Sequence, residues 1–156
     1  MRLPAVLCCC FLLAGCTGQP GGPGAEEVRG PGRFPHSALY KTIAPWDGPA
    51  TWLILSEEPL KKEKTVSPCV SVSIYRAAAD LSGQRVRLGG KESRQGHAAW
   101  VARGGAATDL ESTDVAFEEV QEGKPVRGRY DVEFADGRRE RGRFEAAWWP
   151  ADGPGG

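Results

Sequence analysis

Residues 34–150 predict an all-β domain, an antiparallel β-sandwich of about seven to eight strands, and three observations carry that expectation. Apolar residues recur with period two in short runs. Glycine, proline or charge punctuates those runs at close intervals. No segment sustains a helical apolar period, and Ala77-Ala78-Ala79-Asp80-Leu81 has the makings of a single turn.

In chain order, the first two candidate strands are 38–43 and 51–55. The second, Thr51-Trp52-Leu53-Ile54-Leu55, is nearly continuous in apolar character, as a strand buried on both faces would be. Between them Pro45-Trp46-Asp47-Gly48 has turn chemistry and can leave Trp46 exposed. Glu57-Glu58-Pro59-Leu60-Lys61-Lys62-Glu63-Lys64 reads as an exposed loop. In 70–75, Val70, Val72 and Ile74 alternate with Ser71, Ser73 and Tyr75, so one face is buried and the other is not. Strands at 85–88, 98–102 and 115–120 follow, with turns at Gly89-Gly90 and Gly104-Gly105. Trp52, Trp100 and Trp148 fall at inward positions and read as core.

The last two strands form a hairpin whose register can be tested by parity. Val126, Gly128, Tyr130, Val132 and Phe134 alternate with charge, and so do Gly142, Phe144, Ala146 and Trp148. A two-residue Asp136-Gly137 turn would set Val132 opposite Arg141 and mix apolar and charged residues on one face, so it is rejected. A three-residue loop, Ala135-Asp136-Gly137, restores the parity and gives Gly137 the left-handed position of a bulged turn. It pairs Tyr130 with Gly142 and Gly128 with Phe144, each aromatic covering a glycine. It also pairs Asp131 with Arg141, Glu133 with Arg139 and Arg127 with Glu145, at the expense of Arg129 opposite Arg143. A longer loop pairing Phe134 with Glu140 makes Asp131–Arg143, Glu133–Arg141 and Arg129–Glu145 attractive, but it loses the glycine from its natural turn position.

The Gly-x-Tyr-x-Val-x-Phe-x-Asp-Gly turn and its returning Gly-x-Phe-x-Ala strand resemble the final hairpin of many small bacterial lipoproteins. The resemblance covers about a fifth of the chain and implies an Ig-like sandwich without assigned active residues. Members of that kind often carry a cysteine near the end that could pair with one placed like Cys69. Trp148 and Trp149 stand in that region here.

The N-terminus carries a different signal. Met1-Arg2 is a short positive region and residues 3–13 are an apolar run, too short for the roughly 20 residues a membrane-spanning helix needs. It ends in Leu13-Ala14-Gly15-Cys16, which resembles the bacterial lipobox in all four positions. The resemblance implies that residues 1–15 are a signal peptide, removed after a diacylglycerol is attached to Cys16. An N-acyl chain such as palmitate then completes the anchor, and no other cofactor is expected. Each buried methylene contributes about 0.8 kcal/mol, and two or more chains anchor stably. Thr17 rather than aspartate follows the cysteine, which in a Gram-negative envelope resembles the outer-membrane sorting pattern. Residues 16–33, rich in Gly-Pro and Gly-Gly steps, read as a tether, and 151–156 as a disordered tail.

Composition narrows the partners. The formal net charge is +0, so no global field favours nucleic acid, and none is expected as a partner. Of five cysteines only Cys69 lies in the domain, where it opens a core strand and reads as a buried hydrophobe rather than a reactive thiol. His36 and His97 are the only histidines and read as loop residues without metal-ligand spacing; no metal site and no catalytic residue is assigned. Arg139, Arg141 and Arg143 share a hairpin face with carboxylates: a solvated set of ion pairs by default, or a surface for an acidic partner. Trp46 and Trp149 are the tryptophans left to contact a glycan or a protein.

The sequence therefore predicts a lipid-anchored envelope lipoprotein with a non-enzymatic domain that binds an envelope protein or acts structurally. A carbohydrate- or peptidoglycan-binding module using exposed tryptophan is the alternative, and a hydrolase whose residues converge only in the fold is the third class.

Overall fold

In the computed structural model the described residues are 30–61, 68–104 and 106–149. The signal, Cys16 and the tail at 151–156 lie outside them. The fold is all-β, with nine strands and one 3-10 turn, Ala78–Leu81, where the alanine run stood. The strands are β1 (His36–Ile43), β2 (Pro49–Ser56), β3 (Cys69–Ile74), β4 (Arg85–Gly89), β5 (Gly96–Val101), β6 (Ala107–Asp109), β7 (Ser112–Phe117), β8 (Val126–Glu133) and β9 (Arg139–Trp148).

They form one sheet in the order β4-β7-β8-β9-β1-β2-β3-β5-β6. The sheet curls like half a barrel, which brings β4 and β5, from opposite halves, into contact. The expectation of a wholly antiparallel arrangement is corrected at one place: β1 and β9 are parallel, with Ala38 opposite Ala147 and Leu39 opposite Trp148. The cause is the length of β9. Its first eight residues pair with β8, and its end passes on to β1, so one strand serves both halves of the sheet.

Alternation places the core inside the curl. Leu53, Leu55 and Val72 from one half meet Val115, Val132 and Phe144 from the other, all buried. The run at β2 is buried on both faces, as its composition predicts: Leu53 and Leu55 face the main core, while Ile54 joins a second cluster with Tyr40 and Cys69 on the outer face. Trp52 belongs to that outer cluster, which corrects its inward assignment; parity with Ile54 leaves it no other face. Trp100 and Trp148 do pack on the main core.

The hairpin adopts the three-residue loop. Tyr130 pairs with Gly142, Gly128 with Phe144 and Asp131 with Arg141. Gly137 takes φ +81°, its N–H donates to the Phe134 carbonyl at 2.9 Å, and Phe134 N–H donates to the Arg138 carbonyl at 2.8 Å. Two elements differ from the sequence expectation. β6 is short and wholly exposed, with no alternation to reveal it. β7 begins and ends three residues earlier than expected: Thr113, Val115 and Phe117 are its inward residues, and Glu119 breaks the parity that Val120 would need.

Candidate functional site

The hairpin arginines lie on the outer face of β9, exposed and held by carboxylates. Arg139 Nη2 donates to Asp131 Oδ2 at 2.7 Å and Arg141 Nε to the same oxygen at 2.9 Å. Arg143 turns aside to Glu118 at 3.2 Å, and Arg127 meets Glu145 at 2.9 Å. Two strands away, Arg85 and Arg87 both bond Asp114. Burial pushes the Asp114 carboxyl up, but the hydrogen bonds and charges of the two guanidiniums outweigh it and hold the group below the usual carboxylate range.

Trp46 and Trp149 have different surroundings. Trp149 is half-buried and stacks on Tyr40 with rings 16° apart, capping the outer cluster. Trp46 sits at the tip of the β1–β2 hairpin and is 53 % exposed. The turn beneath it is closed by Ala44 N–H to the Gly48 carbonyl at 2.8 Å, with Asp47 at φ +63°, a conformation unusual for a residue other than glycine. The Trp46 ring meets Tyr75 edge to face at 4.7 Å, and the two form, with Arg94, an open cleft of about 600 Å³. Tyr75 donates its hydroxyl to Glu92 at 2.6 Å; burial and that carboxylate push the phenol up to about 12.

Beside this aromatic corner runs a row that sequence reading missed. Tyr40, Trp52, Ser73 and His97 are successive lateral partners across β1, β2, β3 and β5. Parity puts all four on the outer face. Trp52 donates its indole N–H to Ser71 Oγ at 2.6 Å, and His97 Nε2 lies 2.9 Å from Asp109 Oδ1 on β6. His97 is thus a strand residue, not a loop residue, and His36 opens β1. The signal was present as parity along β3, but β5 and β6 had to be paired before it could be used.

No protein-family model, no curated protein and no solved structure matches this chain.

The chemistry available is therefore that of the groups themselves. Ser73 faces His97 and His97 bonds Asp109, yet the serine hydroxyl makes no hydrogen bond to the imidazole, and the three stand on an open sheet surface. Such a surface offers polar contacts to a ligand without a desolvated centre for acyl transfer. Among the described residues no three metal-ligating side chains gather.

A second assembly closes one end of the curl. The Arg33 guanidinium lies 5.2 Å from the Trp100 ring centroid and 6.0 Å from that of Phe134, while Nε bonds Glu57 at 2.5 Å and Nη1 stands 3.7 Å from Glu140. Two carboxylates and three rings hold it, so it reads as a fastening of the N-terminal segment to the core.

Cys69 is buried beside Tyr40, and burial pushes its thiol up to about 11. A raised folded pKa means that the thiol's contribution to stability is whole below the unfolded value near 9. It is lost as pH rises from there to about 11. With Cys8, Cys9, Cys10 and Cys16 replaced by serine, native Cys69 should resist thiol–disulfide exchange at pH 8 and react at the rate of an exposed thiol once unfolded; stopped-flow reaction with a chromogenic disulfide reads both, and fast native reaction would contradict the burial.

Proposed function

We propose that the chain is a lipid-anchored envelope lipoprotein whose domain binds rather than catalyses, and that its ligand is a glycan of the envelope. The observation that carries this reading is the exposed Trp46 ring, held by a closed turn against Tyr75. A pyranose presents an apolar face of C–H groups that an aromatic face can cover, with hydroxyls at its rim. Arg94, Glu92, Ser73 and the His97–Asp109 pair supply donors and acceptors on the adjoining surface. An exposed tryptophan fixed by its surroundings gives up little conformational entropy on binding, which favours affinity. For an acidic protein partner the hairpin arginines Arg127, Arg139 and Arg141 are the weaker candidate, because each already holds a carboxylate.

Binding to insoluble peptidoglycan tests the reading. The wild-type protein should co-sediment and its tryptophan emission should shift. Trp46→Ala should weaken binding roughly 30-fold, the loss of a central contact of about 2 kcal/mol. Its stability should hold, since the ring is half exposed. Equal sedimentation of the two proteins, or no change in emission, would overturn the glycan reading.

A further inference from the structure

The outer face of β4, β7, β8 and β9 carries seven arginines against four carboxylates, with no lysine and no large apolar side chain. Cross-strand register sorts these into lateral rows. One row reads Arg87, Asp114, Asp131, Arg141, and its charges cancel. The neighbouring row reads Arg85, Ala116, Arg129, Arg143, three guanidiniums with no carboxylate among them. Arg85 leans to Asp114 and Arg143 to Glu118, both in other rows, while Arg129 bonds no carboxylate among the described residues.

Directly opposed like charges destabilise a sheet. Here the repulsion falls between adjacent strands about 4.8 Å apart, and Ala116 leaves the space between Arg85 and Arg129 open. Among the described residues no carboxylate bonds Arg129 to offset it. Guanidinium, moreover, is the group whose fork of donors matches the oxygens of a phosphate.

We propose that the row Arg85–Ala116–Arg129–Arg143 seats the phosphate-bearing headgroups of an anionic membrane surface. The chain's own course supplies the second argument. Arg143 N–H donates to the Gly30 carbonyl at 2.8 Å, so the described chain begins beside this row, with Cys16 only fourteen residues before it in sequence. A glycine-rich coil of that length spans about 20 Å. If Cys16 is lipidated as proposed above, the row is held near the headgroups throughout. The headgroup seat rests on that reading for its location and on the charge row for its chemistry.

The test uses the chain from residue 16 onward, the mature protein on this reading, carrying Cys16→Ser so that neither the apolar run at 3–13 nor an acyl chain contributes, and sediments it with vesicles of phosphatidylcholine alone or mixed with phosphatidylglycerol. Preference for the anionic vesicles is expected. Arg129→Gln and Arg143→Gln should each lower that preference roughly five-fold, and Lys91→Gln should leave it unchanged. Arg129→Gln removes a repulsion, so its melting temperature should hold or rise, which keeps misfolding from mimicking the result. An unchanged preference in the Arg129→Gln, Arg143→Gln double variant would overturn the proposal. Inorganic phosphate should displace the protein from the vesicles more strongly than chloride of equal ionic strength, and equal displacement by the two would overturn a phosphate seat in favour of unselective charge. Labelling of the native chain with radioactive palmitate addresses the anchor separately: absence of label at Cys16 would sink the anchor alone, with the vesicle preference intact.

Discussion

Phe144→Ala should cost about 3–5 kcal/mol in chemical denaturation, among the largest losses open to a single substitution in this domain. Phe144 is 5 % exposed and meets Phe117 edge to face at 5.8 Å. It also covers Gly128 across the hairpin: a Cβ built on that glycine would overlap Phe144 Cζ and stand 2.6 Å from its Cε1. Truncation therefore removes the transfer energy of a phenyl ring, opens a cavity, and uncovers the Gly128 backbone. Phe144→Leu keeps much of the volume and should cost less than half as much. If both variants unfold like the wild type, Phe144 does not lie over Gly128, and the hairpin register is different.

That register was legible because several independent local signals agreed. Parity excluded the two-residue turn, Gly137 offered the left-handed position, and two aromatics faced two glycines. The like-charge pair Arg129–Arg143 was visible as its cost. What local pattern cannot carry is the pairing of elements distant in sequence. The parallel contact of β1 with β9 joins residues more than a hundred positions apart, and nothing in either strand alone announces it. The exposed β6 escaped for a different reason: a strand with no buried residue has no hydrophobic period.

The candidate sites divide the same way. Trp46 was singled out by its turn sequence, Pro45-Trp46-Asp47-Gly48, and the structure places it in a closed turn. Tyr75 was read only as the outward end of an alternation, and Arg94 and Asp109 carried no pattern at all; Asp109 reaches its neighbour through strand pairing and Arg94 through the turn before β5. The three-arginine row is instructive. The sequence showed Arg129 opposite Arg143, but Arg85 joins them only once β4 and β7 extend the row. Charge that looks balanced along the chain can thus be unbalanced across a sheet.

Gly142→Val sets two expectations against each other. Valine is a strong strand former and glycine a weak one, so propensity alone predicts stabilisation. Space predicts the opposite. A Cβ on Gly142 would overlap the Pro31 carbonyl oxygen and the Tyr130 hydroxyl, and would lie 2.5 Å from Tyr130 Cζ. Neither neighbour can easily give way. Tyr130 is 2 % exposed, packs on Phe34 at 5.5 Å and donates its hydroxyl to that same Pro31 oxygen at 2.7 Å. Gly30 is tied to Arg143 one residue further along β9. The expected outcome is a loss of about 2–3 kcal/mol. Faster hydrogen exchange at the Arg143 amide should accompany it, because the least costly accommodation is to expel residues 30–32 from the sheet. Tyr130→Phe removes one of the overlapping atoms, so Gly142→Ala should cost less in that background than in the wild type, by a double-mutant cycle. Additive costs, or a valine that stabilises, would mean that the N-terminal segment does not lie across Gly142. Residues 30–32 and the arginine row would then no longer be joined, and the proposed headgroup seat would have to stand on its charges alone.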